Sequence, residues 1–527
     1  MTARRATRAA AALLLLLTFA AGAAAERLTE AQRRGKRIYM EGKGRDRITV
    51  FLAGAGISAP GKGFPCVNCH LAGGTGQSEG GVRSADIGWF NLTKEYAGRR
   101  PTGRVHPAYT GETVMAAITK GIDPGGNALD PAHPRYKMGR DDLEDLVAYI
   151  QAMDREPVPG VTDNEVRIGI LLPGRGPVAE AGEEVRALLS GYFSEVNGRG
   201  GIFGRSLVLV PVPFDPAASD SALDGAKREV GGEEVFCFLA NVGVAPGDPA
   251  ARYLAAERVP VIVPLLSAAE SGYGADRYTF HVFAGIREQA QVLADFLAGR
   301  SKAGGMKVGL LYARDRSGEE GAEGVREQAG KVGLTLVADV TFEPGKLDAG
   351  RAARKLKESG ADAVFYFGGP SEALAFAAES GKLKWKPWFL APAPMVGGAL
   401  QSSAPPGFLD NAYLASPLTV PDAGSRQIVE FFRIGKRYGV GERHRTFQFL
   451  AYAGALLLEE GLKRAGKGVT RESFVSGIGN VWKLQTGVTP PLTYTANRRV
   501  GALGAMIVKV DPASRRLVPV TEWREPQ

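Results

Sequence analysis

Short apolar runs alternate with amphipathic stretches from residue 164 onward, whereas residues 26–154 are irregular and Gly-rich. In the later region the runs at 166–172, 207–212, 235–239, 260–265, 307–312, 334–340, 363–367 and 388–390 predict strands. Helical stretches such as 183–196 and 287–298 separate most of them. Strand and helix in alternation predict parallel sheets covered by helices on both faces, and the length suits two such sheets, one per lobe. The earlier region predicts helices at 29–40 and 112–120 and a last one starting near Arg140, where Leu143, Leu146, Val147 and Ile150 form an apolar stripe. Two Pro and a Gly in 155–163 mark a linker, because neither residue continues a helix.

Composition adds a compartment. The chain has 527 residues, too many for one core, with 44% hydrophobic and 23% charged residues. Residues 1–25 read as a secretory signal. Arg4, Arg5 and Arg8 precede an apolar run, and small residues end at Ala25, where cleavage is expected. The run is too short to span a membrane comfortably, and no later segment is long and apolar enough. The expectation is a periplasmic protein with no membrane span after cleavage. The formal charge of +9 falls to about +6 once those three Arg are removed. That excess fits a solvated surface or docking to an acidic protein, and gives no case for nucleic acid.

Three Cys occur. Cys237 lies in an apolar run and reads as a buried, unpaired residue. The other two form Cys66-Val67-Asn68-Cys69-His70, the pattern of covalent haem c attachment. Two thiols add to the haem vinyl groups as thioethers, and the adjacent His70 ligates the iron. A zinc half-site needs further Cys or His at fixed spacing, and none follows nearby. A redox dithiol is expected after a strand, not after Gly61-Lys62-Gly63-Phe64-Pro65. Residues 51–59 mimic a dinucleotide-binding fingerprint, but Pro60 and Gly61 follow where a helix is required.

With Gly35 and Tyr39 on the first helix and Tyr149 on the last, residues 26–154 resemble class I cytochrome c, a small all-α domain. The stretch 42–61 reads as an extra loop. The resemblance implies a sixth iron ligand shortly before the last helix. His133 stands where relatives carry Met, and Met138 follows five residues later. Ligation by His133, ligation by Met138 and an open iron all stay possible. The first two imply electron transfer, the third peroxidase-like chemistry. His106 is read as a surface or hydrogen-bonded residue, with iron ligation as the alternative.

Residues 164–527 resemble the type I periplasmic binding proteins of the branched-chain amino-acid (Leu/Ile/Val) ABC-transport class. The pieces carrying this are Val166-Arg167-Ile168-Gly169-Ile170-Leu171-Leu172-Pro173, the stretch Asn197-Gly198-Arg199-Gly200-Gly201-Ile202-Phe203-Gly204, the run Arg258 to Pro264, and Lys307 to Tyr312. The resemblance implies a two-lobe α/β fold closing on a ligand. Gly174, Gly176, Gly243, Ala245, Ser267, Asp315, Ser317 and Gly368 are the candidate cleft residues. The loop at 242–246 lacks the hydroxyl that relatives offer a carboxylate. The combined expectation is a haem electron-transfer protein whose second part binds a solute or docks a periplasmic redox partner, a dehydrogenase or oxidase. The alternatives are a transport-type solute receptor with an accessory haem, and an open-iron enzyme. A carrier or binding protein is favoured over an enzyme.

Overall fold

A computed structural model describes residues 28–71, 73–76, 78–79, 82–94, 105–153, 156–176, 178–218, 220–245, 247–265, 276–300, 305–419 and 423–527. The expected signal segment and Ser267 lie outside them. The chain forms two units, one ending at Val158 and the other beginning at Pro159.

In the first unit helix α1 (Glu30–Glu41) is started by Thr29. Its hydroxyl accepts from the Gln32 N–H while the Gln32 side chain accepts from the Thr29 N–H, and Gly42 ends the helix at φ 65°. Then come strands β1 (Thr49–Leu52) and β2 (Ile57–Pro60) and the short helices α2 (Val67–His70) and α3 (Trp89–Leu92). Helix α4 (Gly111–Lys120), strand β3 (Arg135–Lys137) and helix α5 (Arg140–Ala152) complete the unit. Helices α1 and α5 cross at Gly35, where a Cβ would meet the Asp145 carbonyl oxygen at 1.9 Å. That close crossing lets Tyr39 and Tyr149 pack edge to face, ring centroids 5.4 Å apart, both buried. The Tyr39 hydroxyl then donates to the Leu71 carbonyl at 2.7 Å.

The all-α expectation is corrected here. The stretch 42–61 is no loop. It folds into the β1–β2 hairpin, and β3 pairs with β1 to make a three-stranded antiparallel sheet. Val50 and Ile48, β-branched residues buried at its base, drive this pairing.

Asp145 is buried and takes both Arg34 (2.7 and 3.0 Å) and Arg45 (2.9 Å). The Arg34 hydrogen bonds hold its carboxyl below the usual carboxylate range, against the opposing effect of burial. A depressed folded-state pKa means the network stabilises the unit fully above the unfolded value near 4 and is lost as pH falls through the depressed value. Acid unfolding of this unit, followed by near-ultraviolet circular dichroism, is therefore expected to steepen below about pH 4. In Asp145→Asn that steepening should disappear, and an unchanged acid limb would remove the network from the account.

The second unit holds two sheets. The first contains β4 (Glu165–Pro173), β5 (Ser206–Phe214), β6 (Cys237–Leu239), β7 (Val261–Ile262), β8 (Thr279–Phe283) and β14 (Val500–Ala502), in the order β14-β8-β7-β6-β4-β5, all parallel. The second contains β9 (Lys307–Ala313), β10 (Thr335–Phe342), β11 (Ala363–Phe367), β12 (Trp388–Pro392), β13 (Ala412–Ser416), β15 (Met506–Val510) and β16 (Leu517–Pro519). Its order is β10-β9-β11-β12-β13-β15-β16, parallel except for the last two strands. Helices such as α6 (Ala179–Gly198), α9 (Ile286–Ala298) and α10 (Arg316–Val332) connect the strands. Strands covered on both faces are apolar throughout, as in Ala363–Phe367, where every residue is buried. Cys237 is buried within β6, as expected of an apolar strand residue. No helix among the described residues is long and apolar enough to cross a membrane.

Candidate functional sites

The first unit holds an open, largely apolar cavity of about 210 Å³. Ile87, Leu92, Val114, Ile118, Leu129 and Ile150 form much of its wall. That is many times the roughly 10–15 Å³ one buried water needs, so the cavity is more than a packing defect. Its polar lining residues are Cys66, Cys69, His70, Ser84, His106, Tyr109, Asp130, His133 and Tyr136. Short helix α2 presents Cys66, Cys69 and His70 together, since three and four residues make one helical turn.

His70 is oriented. Its Nδ1 donates to the Ala85 carbonyl at 2.9 Å, which leaves Nε2 as the ring's lone-pair nitrogen. Burial lowers its pKa below that of a free imidazole, the direction that favours the neutral ring a metal ligand needs. Its ring centroid lies 6.5 Å from that of His133, with the planes at 62°. Two imidazoles bound about 2 Å from one metal ion on opposite sides have centroids roughly 6–6.5 Å apart. The centroid separation of the pair matches that spacing. An Arg135 guanidinium nitrogen lies 3.0 Å from His133 Nδ1, and Arg is a donor alone. Ligation through His133 Nε2 thus requires Arg135 to release Nδ1.

Met138 is absent from the cavity lining and packs against the core of the unit, beside the last helix. His106 is buried rather than on the surface. Its Nδ1 donates to the Pro107 carbonyl at 2.9 Å, and its ring packs on Tyr109 at 5.0 Å. Its place in the cavity wall was not legible from sequence, because nothing in the spacing of His106 relates it to His70. Burial pushes the Cys66 thiol up to about 12. A redox dithiol needs the opposite shift, toward the thiolate.

In the second unit the candidate residues gather at two places that sheet order defines. In a parallel sheet, ligands bind beyond the carboxyl ends of the strands where the order reverses. The first sheet reverses between β4 and β6, because β5 lies on one side of β4 and β6 on the other. Gly174 and Gly176 follow β4, and Gly243 and Ala245 follow β6; all four are exposed. The second sheet reverses between β9 and β11, where Asp315, Ser317 and Gly368 lie. Gly176 and Gly243 adopt φ 95° and 75°, left-handed backbone that favours glycine. Asp315 caps α10 through a 2.8 Å bond from the Gly318 N–H, and Ser317 lies exposed in that helix's first turn. Gly368 is buried, and a Cβ there would meet Phe342 at 2.6 Å. Arg175, unremarked in the sequence, sits between the two glycines and grips Asp215 at 2.6 and 2.5 Å.

Among curated proteins, the Leu/Ile/Val-binding protein homolog 3 of Brucella melitensis is 28% identical over 206 residues, 39% of this chain and 54% of that protein. The chain thus spans about half the length of that relative. A fatty acid ABC transporter substrate-binding protein from Thermomonospora curvata shares the fold at TM-score 0.55 and 20% identity, over 70% of this chain and 95% of that one. A branched-chain amino acid ABC transporter protein from Thermus thermophilus with bound valine does so at TM-score 0.52 and 19% identity, over 68% and 97%. The family model for periplasmic binding proteins matches residues 165–515, which is most of the second unit, and the chain belongs to that family.

Proposed function

We propose that the second unit is an ABC-transport-type receptor that binds a small solute of the branched-chain amino-acid class between its two lobes, in the periplasm. The observation that carries this reading is the gathering of Gly174, Gly176, Gly243, Ala245, Asp315, Ser317 and Gly368 at the two order reversals of the sheets. The Gly174 N–H is taken by the Phe214 carbonyl at 2.8 Å, so the left-handed turns at Gly176 and Gly243 are the backbone that would meet a carboxylate in place of the hydroxyl that residues 242–246 do not supply. Thermal unfolding with leucine, isoleucine and valine tests it. A solute at a hundred times its Kd is expected to stabilise the unit by about 2.7 kcal/mol. If all three leave Tm unchanged while another carboxylate raises it, the amino-acid class is wrong and the cleft reading stands.

The first unit supports a second reading, a covalently bound haem c. Cys66 and Cys69 would hold it as thioethers, and His70 and His133, whose ring centroids lie 6.5 Å apart in the same cavity, would ligate its iron. Bound there, the haem supplies one-electron transfer. The chain's own part would be to orient His70 through Ala85, keep water off the ring with its apolar wall, and hold His133 in the same cavity. Such a unit exchanges electrons with a periplasmic dehydrogenase or oxidase. Absorption spectra of the periplasmic protein, with and without carbon monoxide, test it. A low-spin spectrum unmoved by carbon monoxide and lacking the far-red Met–iron band supports ligation by both histidines, and the presence of that band makes Met138 the ligand instead. A high-spin spectrum that shifts with carbon monoxide replaces the carrier by an open-iron site.

A further inference from the structure

We propose that the three-stranded sheet β2-β1-β3 sets the distance between His70 and His133, with the backbone of Phe51 as its central tie; this rests on the haem reading above. The sheet touches the chain on both sides of the cavity. Strand β2 runs through the turn at Gly61–Gly63 directly into Phe64, Pro65 and Cys66, the segment that delivers His70. Strand β3 begins two residues after His133. Between them lies β1, paired to both: Phe51 faces Ser58 on one side and Arg135 on the other.

Further bonds close the frame. At the hairpin tip the Gly54 N–H donates to the Pro131 carbonyl at 3.3 Å, so the hairpin grips the chain before His133 as well as after it. The Tyr136 hydroxyl, on β3, donates to the Phe64 carbonyl at 2.7 Å and ties the two segments directly. At the root the Gly61 N–H donates to the Ile48 carbonyl at 2.9 Å. Gly42, at φ 65°, lies so near Gly61 that a Cβ would sit 2.2 Å from the Gly61 carbonyl oxygen. Register cannot slip, because one residue of slippage would turn the fully buried Val50 out of the core. A free loop carrying His133 would sample many distances; a paired strand holds one. Axial ligation demands that precision, since a misplacement of about 0.5 Å already loosens a site.

The test separates backbone from side chain. Phe51 is 45% exposed, so Phe51→Ala keeps the pairing, whereas Phe51→Pro removes a ladder donor from a central strand. In the full chain matured with haem, Phe51→Ala is expected to stay low-spin and inert to carbon monoxide, like the parent. Phe51→Pro is expected to keep its covalent haem, turn at least tenfold more of it carbon-monoxide-reactive, shift the midpoint potential, and return to low spin when imidazole is added. Phe51→Gly, which loosens the strand without blocking it, should fall between and serves if the proline variant accumulates no loaded protein. A haem-loaded Phe51→Pro, or failing that Phe51→Gly, that remains low-spin and carbon-monoxide-inert at the parent's potential overturns the proposal. His133→Ala is the separate control. If it stays low-spin, the axial role of His133 fails. If it turns high-spin while the Phe51 backbone variants do not, the sheet alone is eliminated.

Discussion

Alanine at both Cys66 and Cys69 is expected to abolish covalently bound haem, the largest change any pair of substitutions should make in this protein. The two thiols line the same cavity as His70 and His133, and Cys237 is buried in the other unit's sheet, where it offers no substitute. Either single alanine leaves one thioether position and should retain reduced but measurable attachment. A haem stain on the denatured protein reads this directly, because a haem held by ligation alone is lost on denaturation. Undiminished staining in the double variant would remove the thioether assignment, whatever ligates the iron. Solute binding should be unchanged in the same protein, since the second unit has its own cores around Phe238 and Phe365.

Valine at Gly35 should unfold the first unit. The glycine lies at the α1–α5 crossing, where an added Cβ would stand 1.9 Å from the Asp145 carbonyl oxygen and 2.9 Å from the Tyr149 Cβ. The obstacle is backbone, so no side-chain rotation relieves it and the helices must separate. Separation also undoes the Tyr39–Tyr149 contact and the Arg34–Asp145 bonds. Overpacking typically costs about 1–3 kcal/mol, and loss of those contacts should carry the total above that range, a large share of the stability of a unit this small. Gly63→Ala is the comparison, because nothing lies within 4 Å of its added Cβ. Chemical denaturation followed at the unit's tyrosines should lose its first transition in Gly35→Val and keep it in Gly63→Ala. Equal midpoints would mean that the helices cross without depending on this glycine.

Much of the second unit was legible because its strands are covered on both faces. Continuous apolar runs at 166–172, 307–312 and 363–367 mark such strands without ambiguity, and the structure extends each by no more than two residues. The strands β8, β13, β14, β15 and β16 were missed. β14 and β16 are three residues long, too short for a period to register, and β15 pairs antiparallel at the sheet's margin. In the first unit the helices at 29–40, 112–120 and 140 onward were read from apolar spacing and acidic first turns. The hairpin over 49–60 was not. Its glycines and its run of small residues resemble a loop, and only pairing with β3, some 80 residues later, makes it a strand.

The amino-acid sequence alone determined the principal helices of the first unit, the doubly covered strands of the second, the two-part organisation and the residue types available for chemistry, because hydrophobic period, capping and the Cys66–His70 spacing are local properties. Tertiary structure decided which of those residues meet. It put His106 and His133 into one cavity with His70 and packed Met138 against the core, outside that cavity. It also turned an apparent loop into the middle of a sheet. Such choices depend on contacts between segments distant in the chain, whose energies come from buried area and paired backbone groups that no local pattern records.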